Sequence, residues 1–129
     1  MRKFNFNEHG VCENPHIVWR GIYNTYGGKS NIHPLYGVSF VSVAKKGNVW
    51  MYGYSVGTQD WMSIGGCGRG NGQYKSEKAA AIAGLRYILE RAKEQMTLHY
   101  PIPEEKTRLR SLILDIKEEI FNQKQLCLF

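Results

Sequence analysis

The apolar positions of residues 16–64 fall into short runs rich in β-branched and aromatic side chains, with glycine-containing turns between them. Runs of this kind are typical of β-strands. Four strands are expected, at residues 16–23, 36–43, 49–56 and 61–64. Residues 45–48 separate the second and third runs, and Gly47 supplies the positive φ that a tight hairpin favours.

The second half of the chain has helical spacing. Ser76 is a suitable N-cap, and Pro103 is a suitable first residue for a second helix. Apolar residues then recur every three or four positions, which predicts helices over about 76–95 and 103–122. The residues that carry this pattern are Ala79, Ile82, Leu85, Leu89 and Ala92 in the first helix, and Leu109, Leu112, Ile113, Ile116 and Ile120 in the second.

Strands followed by helices, in separate blocks, predict an α+β fold with an antiparallel sheet of about four strands (residues about 16–64) packed by the two C-terminal helices. Three parts are expected: a polar N-terminal arm (1–15), a single α+β domain (16–122) and a flexible tail (123–129). A length of 129 residues suits one domain.

The composition is that of a soluble globular protein, with 43% hydrophobic and 22% charged residues. No apolar run is long enough for a membrane span, and no secretory signal is expected at the N-terminus. Three cysteines without close spacing make a disulfide framework unlikely and favour a reducing cytoplasm. The net charge is +6, and residues 1–75 contain eight Lys and Arg against three acids. This excess is compatible with a nucleic-acid partner.

A glycine-rich loop precedes the first predicted helix, with five glycines among residues 65–72. Helix N-termini attract phosphate, and glycines let the backbone approach it closely. The alternative is a connection in which the glycines only permit turns. No Walker sequence is present. The predicted nucleic-acid or phosphate-binding residues are Gly68, Gly70, Arg69, Lys75 and Lys78 at this loop, with Lys45 and Lys46 in the hairpin.

The run from Lys75 to Ala83, with the hairpin before it, resembles the C-terminal half of double-stranded-RNA-binding domains. Members of that family have a Gly-rich turn and a Lys- and Ala-rich helix start after three strands. The chain departs from the family before the sheet, where no helix is evident in residues 1–34. The resemblance implies that Arg69, Lys75 and Lys78 contact backbone phosphates, which provide affinity without sequence choice.

The last five residues, Gln125, Leu126, Cys127, Leu128 and Phe129, resemble the pentapeptide with which bacterial replication and repair proteins bind the sliding clamp. Cys127 departs from the pattern, which has Ser or Asp there. The resemblance implies that the other four residues bind the clamp. Two or three apolar anchors and one polar residue suit an extended peptide in a groove. The alternative is a helix end whose Leu126 and Phe129 pack on the chain's own core.

Two further groups have competing interpretations. Trp50, Tyr52 and Tyr54 share one face of the third strand, either as a base-stacking surface or, as we expect, as core beneath the helices. The second group consists of three potential metal ligands, His9, Cys12 and His16, and Cys67 or His33 could be a fourth. They lack the tight pairs of zinc sites, so no metal is predicted.

The sequence offers little for catalysis. Glu8, Glu13 and Asp60 are scattered, whereas a metal-dependent nuclease needs clustered carboxylates. Cys67 lies in a glycine loop near the start of a helix, a position that can lower the pKa of a thiol. A lowered pKa would let Cys67 act as a nucleophile. The leading hypothesis is a non-enzymatic, cytoplasmic DNA-associated accessory protein tethered to the sliding clamp, without a cofactor. The alternatives are a protein-interaction or inhibitor module of a phage or mobile element, and a small Cys- or metal-dependent enzyme.

Overall fold

A computed structural model describes residues 3–21, 39–57, 61–98 and 103–126. It has four antiparallel strands in the order β1-β2-β3-β4, followed by two helices, so the predicted α+β fold is confirmed. The elements are β1 (His16–Arg20), β2 (Phe40–Lys46), β3 (Val49–Gly57), β4 (Met62–Gly65), a short 3-10 turn (Arg69–Asn71), α1 (Glu77–Thr97) and α2 (Pro103–Leu126).

The β2–β3 hairpin turns through two residues, because Lys46 pairs directly with Val49. Gly47 has a φ of 64°, the conformation expected of it. The second strand was predicted at residues 36–43, and its end is wrong by three residues, since both hairpin lysines belong to β2. Residues 36–38, the start of that prediction, lie outside the described residues.

The main core lies between the sheet and the helices. Val41, Val43, Tyr52 and Tyr54 point from β2 and β3 toward this core and are almost fully buried. Helix α1 packs on both strands, and α2 packs against α1 while its apolar stripe joins the same core. The interpretation of the tyrosines as core is therefore confirmed, whereas Trp50 is only half-buried at the margin.

The opposite face of the sheet is covered by the segment that the sequence assigned to an N-terminal arm. Cys12, Ala44, Met51 and Cys67 form a second buried cluster, against which the partly buried Phe4, Phe6 and Val49 pack. The Cys12 backbone N–H donates to the Cys67 carbonyl at 2.8 Å. Residues 1–15 are mostly polar, so the sequence analysis did not identify Phe4, Phe6 and Cys12 as the side chains that cover this face.

Both helices are longer than predicted. Ser76 is the N-cap of α1, as expected, and its hydroxyl accepts a hydrogen bond from the Ala79 N–H at 3.1 Å. Helix α1 ends at Thr97 and α2 at Leu126, so the predicted end at residue 122 is wrong by four residues. Residues 127–129 lie outside the described residues. Among the helices of the described ranges, none has the length and apolar character needed to cross a membrane.

Candidate nucleic-acid interface

The N-terminus of α1 is joined to the β2–β3 hairpin by a backbone pair. The Trp50 N–H donates to the Tyr74 carbonyl at 2.7 Å, and the Tyr74 N–H donates to the Trp50 carbonyl at 2.8 Å. On its other side, Trp50 pairs with Lys45 of β2. Adjacent strands lie about 4.8 Å apart, so the backbones of Lys45 and Tyr74 are separated by roughly 10 Å.

This register determines which lysines share a face. Side chains alternate along a strand, so Lys45 lies on the helix side of the sheet with Trp50, and Lys46 lies on the other side with Val49. The Trp50–Tyr74 pair is an isolated bridge, and the chain bends at Lys75 toward the start of α1. Lys75 follows the residue that bridges β3, and both Lys46 and Lys75 are exposed.

The Lys46 ammonium lies 5.2 Å from the centroid of the Phe6 ring, within the range of a cation–π contact. Phe6 belongs to the N-terminal segment that covers this face. The contact holds the charged group near the surface of that segment while leaving it accessible to a partner.

Lys78 brings a fourth positive charge to this end of the domain. It lies in the first turn of α1 and lines a groove of about 330 Å³ together with His16 and Ile17 of β1 and Gln123 of α2. Glu77 lines the same groove and offsets part of the charge. We call the four residues Lys45, Lys46, Lys75 and Lys78 the basic end.

The positive end of the α1 dipole adds to the potential of these side chains. Because Gln123 lies in the same groove, the C-terminal turn of α2 also reaches the basic end. Four of the seven predicted phosphate-binding residues thus lie at this end of the domain, with Lys45 and Lys46 on opposite faces of the sheet. It also brings the helix that precedes the clamp-like peptide to the same end of the domain.

The glycine loop is a packed part of the fold. Gly68 forms a bridge with Val11. The side-chain amide of Asn71 donates to the carbonyls of Tyr52 at 3.1 Å and Gly66 at 2.7 Å. At Gly53, an added Cβ would lie 2.7 Å from the backbone nitrogen of Cys67, so the loop lies directly on β3. These contacts show that the loop packs closely on the sheet, which neither the phosphate-binding prediction nor the turn-permitting alternative included.

The loop residues predicted to bind phosphate are not gathered at the basic end. Gly68 is buried beside Val11, and Gly70 is exposed in the 3-10 turn. Arg69 begins that turn, and its side chain is outside the described part of the structure. The loop contacts β3 at Tyr52 and Gly53, two to three residues along the strand from Trp50. A role for these three residues in binding stays a prediction.

The expected lowering of the Cys67 pKa is wrong. Burial, with a smaller contribution from Cys12, raises the pKa of the Cys67 thiol to about 12, and a hydrogen bond from Ser42 offsets only part of this. The loop lies against the sheet, so Cys67 lacks the solvated, electropositive setting that activates a thiol. At neutral pH Cys67 is a protonated thiol, which is a poor nucleophile.

The potential metal ligands are not brought together either. Cys12 is buried, whereas His9 and His16 are exposed. Within the described ranges, no group of three His, Cys, Asp or Glu side chains is arranged to hold a metal ion. His33 and Asp60 lie outside the described residues.

The sequence reasoning missed an acidic surface on α2. Asp115, Glu118 and Glu119 line a groove of about 290 Å³ beside Trp19 and Arg20 of β1. Burial, and then the nearby Glu118, raise the pKa of the Asp115 carboxyl above its usual range. The spacing of these acids along a helix was the available signal. The surface carries the charge opposite to that of the basic end and would repel phosphates.

The clamp-like peptide is described only in part. The backbones of Gln125 and Leu126 belong to the last turn of α2, and Leu128 and Phe129 lie outside the described residues. The flexible tail was predicted from residue 123, but residues 123–126 are helical. Clamp binding stays a prediction. No protein-family model, curated protein or solved structure matches the chain.

Proposed function

We propose that the protein is a small nucleic-acid-binding accessory protein that its C-terminal peptide tethers to the bacterial sliding clamp. The basic end is the contact surface for the phosphate backbone. The C-terminal peptide, Gln125 to Phe129, supplies the attachment to the clamp. Such a protein would not need a catalytic group of its own.

The observation that carries the proposal is the position of four lysines, from two neighbouring segments, at one end of the domain. Lys45 and Lys46 come from the hairpin, Lys75 lies just before α1, and Lys78 lies in its first turn. The Trp50–Tyr74 backbone pair holds the two elements together. Lysines on fixed backbone positions suit a polyanion with regularly spaced phosphates, and this contact is independent of base sequence.

The position of α2 supports a tether. Because Gln123 lies in the groove with Lys78, the last turn of α2, which contains Gln125 and Leu126 of the peptide, lies near the basic end. A protein bound to a ring around DNA would then hold its basic end at a high effective concentration near the duplex. Two contacts of this kind, each weak alone, strengthen the overall association when both can form at once.

The clamp attachment is tested by binding purified clamp to the full chain and to a Leu128→Ala/Phe129→Ala variant. This variant leaves the helical residues Gln125 and Leu126 in place, whereas deletion of residues 125–129 would also shorten α2. We expect micromolar binding by the full chain, since each buried apolar anchor contributes about 1.5–3 kcal/mol. The double variant should lose it. Equal binding by both chains, or by neither, contradicts the tether.

Nucleic-acid binding is tested by titrating labelled duplex and single-stranded DNA, and duplex RNA, at several salt concentrations. Binding through the lysines should weaken steeply as salt increases. Tight binding to one nucleic acid would identify the substrate class. The absence of salt-dependent binding to all three would contradict this half of the proposal and leave the clamp attachment to be judged separately.

One observation favours a protein-interaction module as the second candidate. Leu114 and Phe121 lie two turns apart on the outer face of α2 and are 64% and 60% exposed. Large apolar side chains at this spacing often contact a partner protein. Replacing both by Ser should leave nucleic-acid binding unchanged under the leading proposal. It should abolish the binding of a protein partner under the alternative.

A further inference from the structure

Cys12 and Cys67 are directly opposite each other in two antiparallel segments. Val11 forms an antiparallel bridge with Gly68, so the next pair in register is Cys12 with Cys67. The Cys12 N–H donates to the Cys67 carbonyl at 2.8 Å, which confirms the pairing. Opposite residues of an antiparallel pair have side chains on the same face and Cα atoms about 4.5–5.5 Å apart. A disulfide spans about 4.4–6.8 Å between Cα atoms.

The two side chains also share one environment. Both cysteines are free and belong to the same buried cluster with Ala44 and Met51. They are 5% and 3% exposed. The Sγ of Cys67 lies 3.5 Å from the Met51 carbonyl oxygen, and the Sγ of Cys12 lies 3.4 Å from Oδ1 of Asn14. These are weak contacts, which a sulfur can leave by rotation about one bond.

We propose that Cys12 and Cys67 form a reversible disulfide that fastens the N-terminal segment to the glycine loop, with a low-molecular-weight disulfide such as oxidised glutathione as the oxidant. The bond would join residues 55 positions apart in the chain and would close the second face of the sheet. This inference does not depend on nucleic-acid or clamp binding.

The reaction is a double thiol–disulfide exchange. The sulfur of Cys12 loses its proton and attacks one sulfur of the oxidant, which releases one glutathione thiolate. The sulfur of Cys67 then attacks Cys12 in the mixed disulfide and releases the second glutathione. One S–S bond breaks and one forms. The two protein thiols give up two electrons and two protons, and the two glutathione molecules take them up.

Burial determines when this exchange takes place. Neither thiol is accessible while the N-terminal segment lies on the sheet, so the first step needs that segment to lift away. Cys12 is carried by the segment itself and becomes accessible at once. Lifting of the segment also uncovers Cys67, whose thiol can then lose its proton to water and attack the sulfur of Cys12. Glutathione is released before the segment returns to the sheet with Cys12 bonded to Cys67. The pair therefore reacts slowly, and the product is protected from reductants by the same burial.

The test uses a Cys127→Ser variant, which removes the third cysteine as a competing partner. The folded protein is incubated with oxidised glutathione, denatured and alkylated, and its mass and disulfide-linked peptides are determined. We expect a mass lower by two hydrogen atoms, no alkylation and a peptide pair linked through Cys12 and Cys67. The oxidised chain should unfold at a higher urea concentration, and dithiothreitol should reverse the shift.

The matched controls are the double variants Cys12→Ser/Cys127→Ser and Cys67→Ser/Cys127→Ser. Each retains one of the two cysteines and should give only a mixed disulfide with glutathione. Should either control fail to fold, peptide mapping of the wild-type chain provides the same information. Three results would overturn the proposal. They are two alkylated thiols after prolonged oxidation, a stable glutathione adduct on Cys12 without the bridge, or a bridge that forms only in denaturant.

Discussion

Trp50 and Tyr74 exchange two backbone hydrogen bonds, of 2.7 and 2.8 Å, although Tyr74 belongs to no strand. The tyrosine ring also packs 6.1 Å from the ring of Tyr52, centroid to centroid. The residues just before α1 are thereby fixed to β3 by main-chain and side-chain contacts together. The distance between Lys75 and the hairpin lysines is consequently determined by backbone geometry. A partner that contacts both elements does not have to order them first.

Removing the hairpin charges should weaken nucleic-acid binding. The Lys45→Ala/Lys46→Ala variant lacks two of the four charges of the basic end. The logarithm of the binding constant for duplex DNA falls with the logarithm of the salt concentration, and each neutralised phosphate contributes about 0.9 to the slope. Loss of two lysines should therefore make the slope shallower by roughly 2. Fluorescence anisotropy between low and physiological salt measures both the affinity and the slope.

Lys93→Ala/Lys106→Ala is the matched control. Both lysines are exposed, Lys93 near the end of α1 and Lys106 near the start of α2, far from the hairpin. The net charge falls by the same amount, so a general charge effect would weaken both variants equally. Equal weakening in the two variants would show that the basic end has no special part in binding.

Loss of the Ser76 cap should destabilise the start of α1. The hydroxyl of Ser76 satisfies the Ala79 N–H, one of the unpaired donors of the first turn. Ser76→Ala should reduce the free energy of unfolding by about 0.5–2 kcal/mol in urea denaturation. Ser111→Ala is the comparison, because Ser111 is exposed inside α2, where alanine is the better helix former. A Ser76 variant as stable as the Ser111 variant would disprove the capping role.

Addition of a methyl group at Gly53 should push the glycine loop off the sheet. The new Cβ would lie 2.7 Å from the Cys67 nitrogen and 2.9 Å from its Cα, and backbone atoms cannot move aside as a flexible side chain can. We expect Gly53→Ala to destabilise the fold by about 1–3 kcal/mol. At Gly70 an added Cβ would meet no atom within 4 Å. Thermal unfolding should therefore separate Gly53→Ala clearly from Gly70→Ala.

The hydrophobic pattern was sufficient to predict the order of elements and most of the helix-facing core, because the strands alternate and both helices have an apolar stripe. In α1 the predicted face was partly wrong, since Ala79 is exposed and the buried Ile88 was not assigned to it. The position of Ser76 as a cap was also correct. These features depend on local periodicity, which one sequence contains in full. The end of α2 was misplaced because Gln123 and Lys124 are good helix formers but lie beyond the last residue of the apolar stripe.

The second face of the sheet could not be predicted in the same way. Phe4, Phe6 and Cys12 are scattered in a polar segment, and their burial depends on the pairing of Val11 with Gly68, residues far apart in the chain. The same long-range pairing decides the environment of Cys67. A glycine-rich loop before a helix suggested an activated thiol, but the loop lies on β3 and buries that thiol. Sequence spacing alone contains no information about this contact.

The buried thiol should make stability depend on alkaline pH. The pKa of Cys67 is about 12 in the folded protein, whereas the pKa of a cysteine in an unfolded chain is about 8.5. Above that pH the unfolded chain has lost the proton that the folded chain retains, so the unfolded state is favoured as pH rises. The contribution of Cys67 to stability is complete below about pH 8.5 and is lost as pH increases toward 12.

Urea denaturation in the presence of reductant between pH 7 and 10 measures this effect. The free energy of unfolding of the wild-type chain should fall over that range, and Cys67→Ala should fall less steeply. The buried Tyr52, with a pKa also raised to about 12, contributes in the same direction only above about pH 10. Cys127→Ala serves as the control and should keep the wild-type slope. Parallel curves for the wild type and Cys67→Ala would contradict the burial of this thiol.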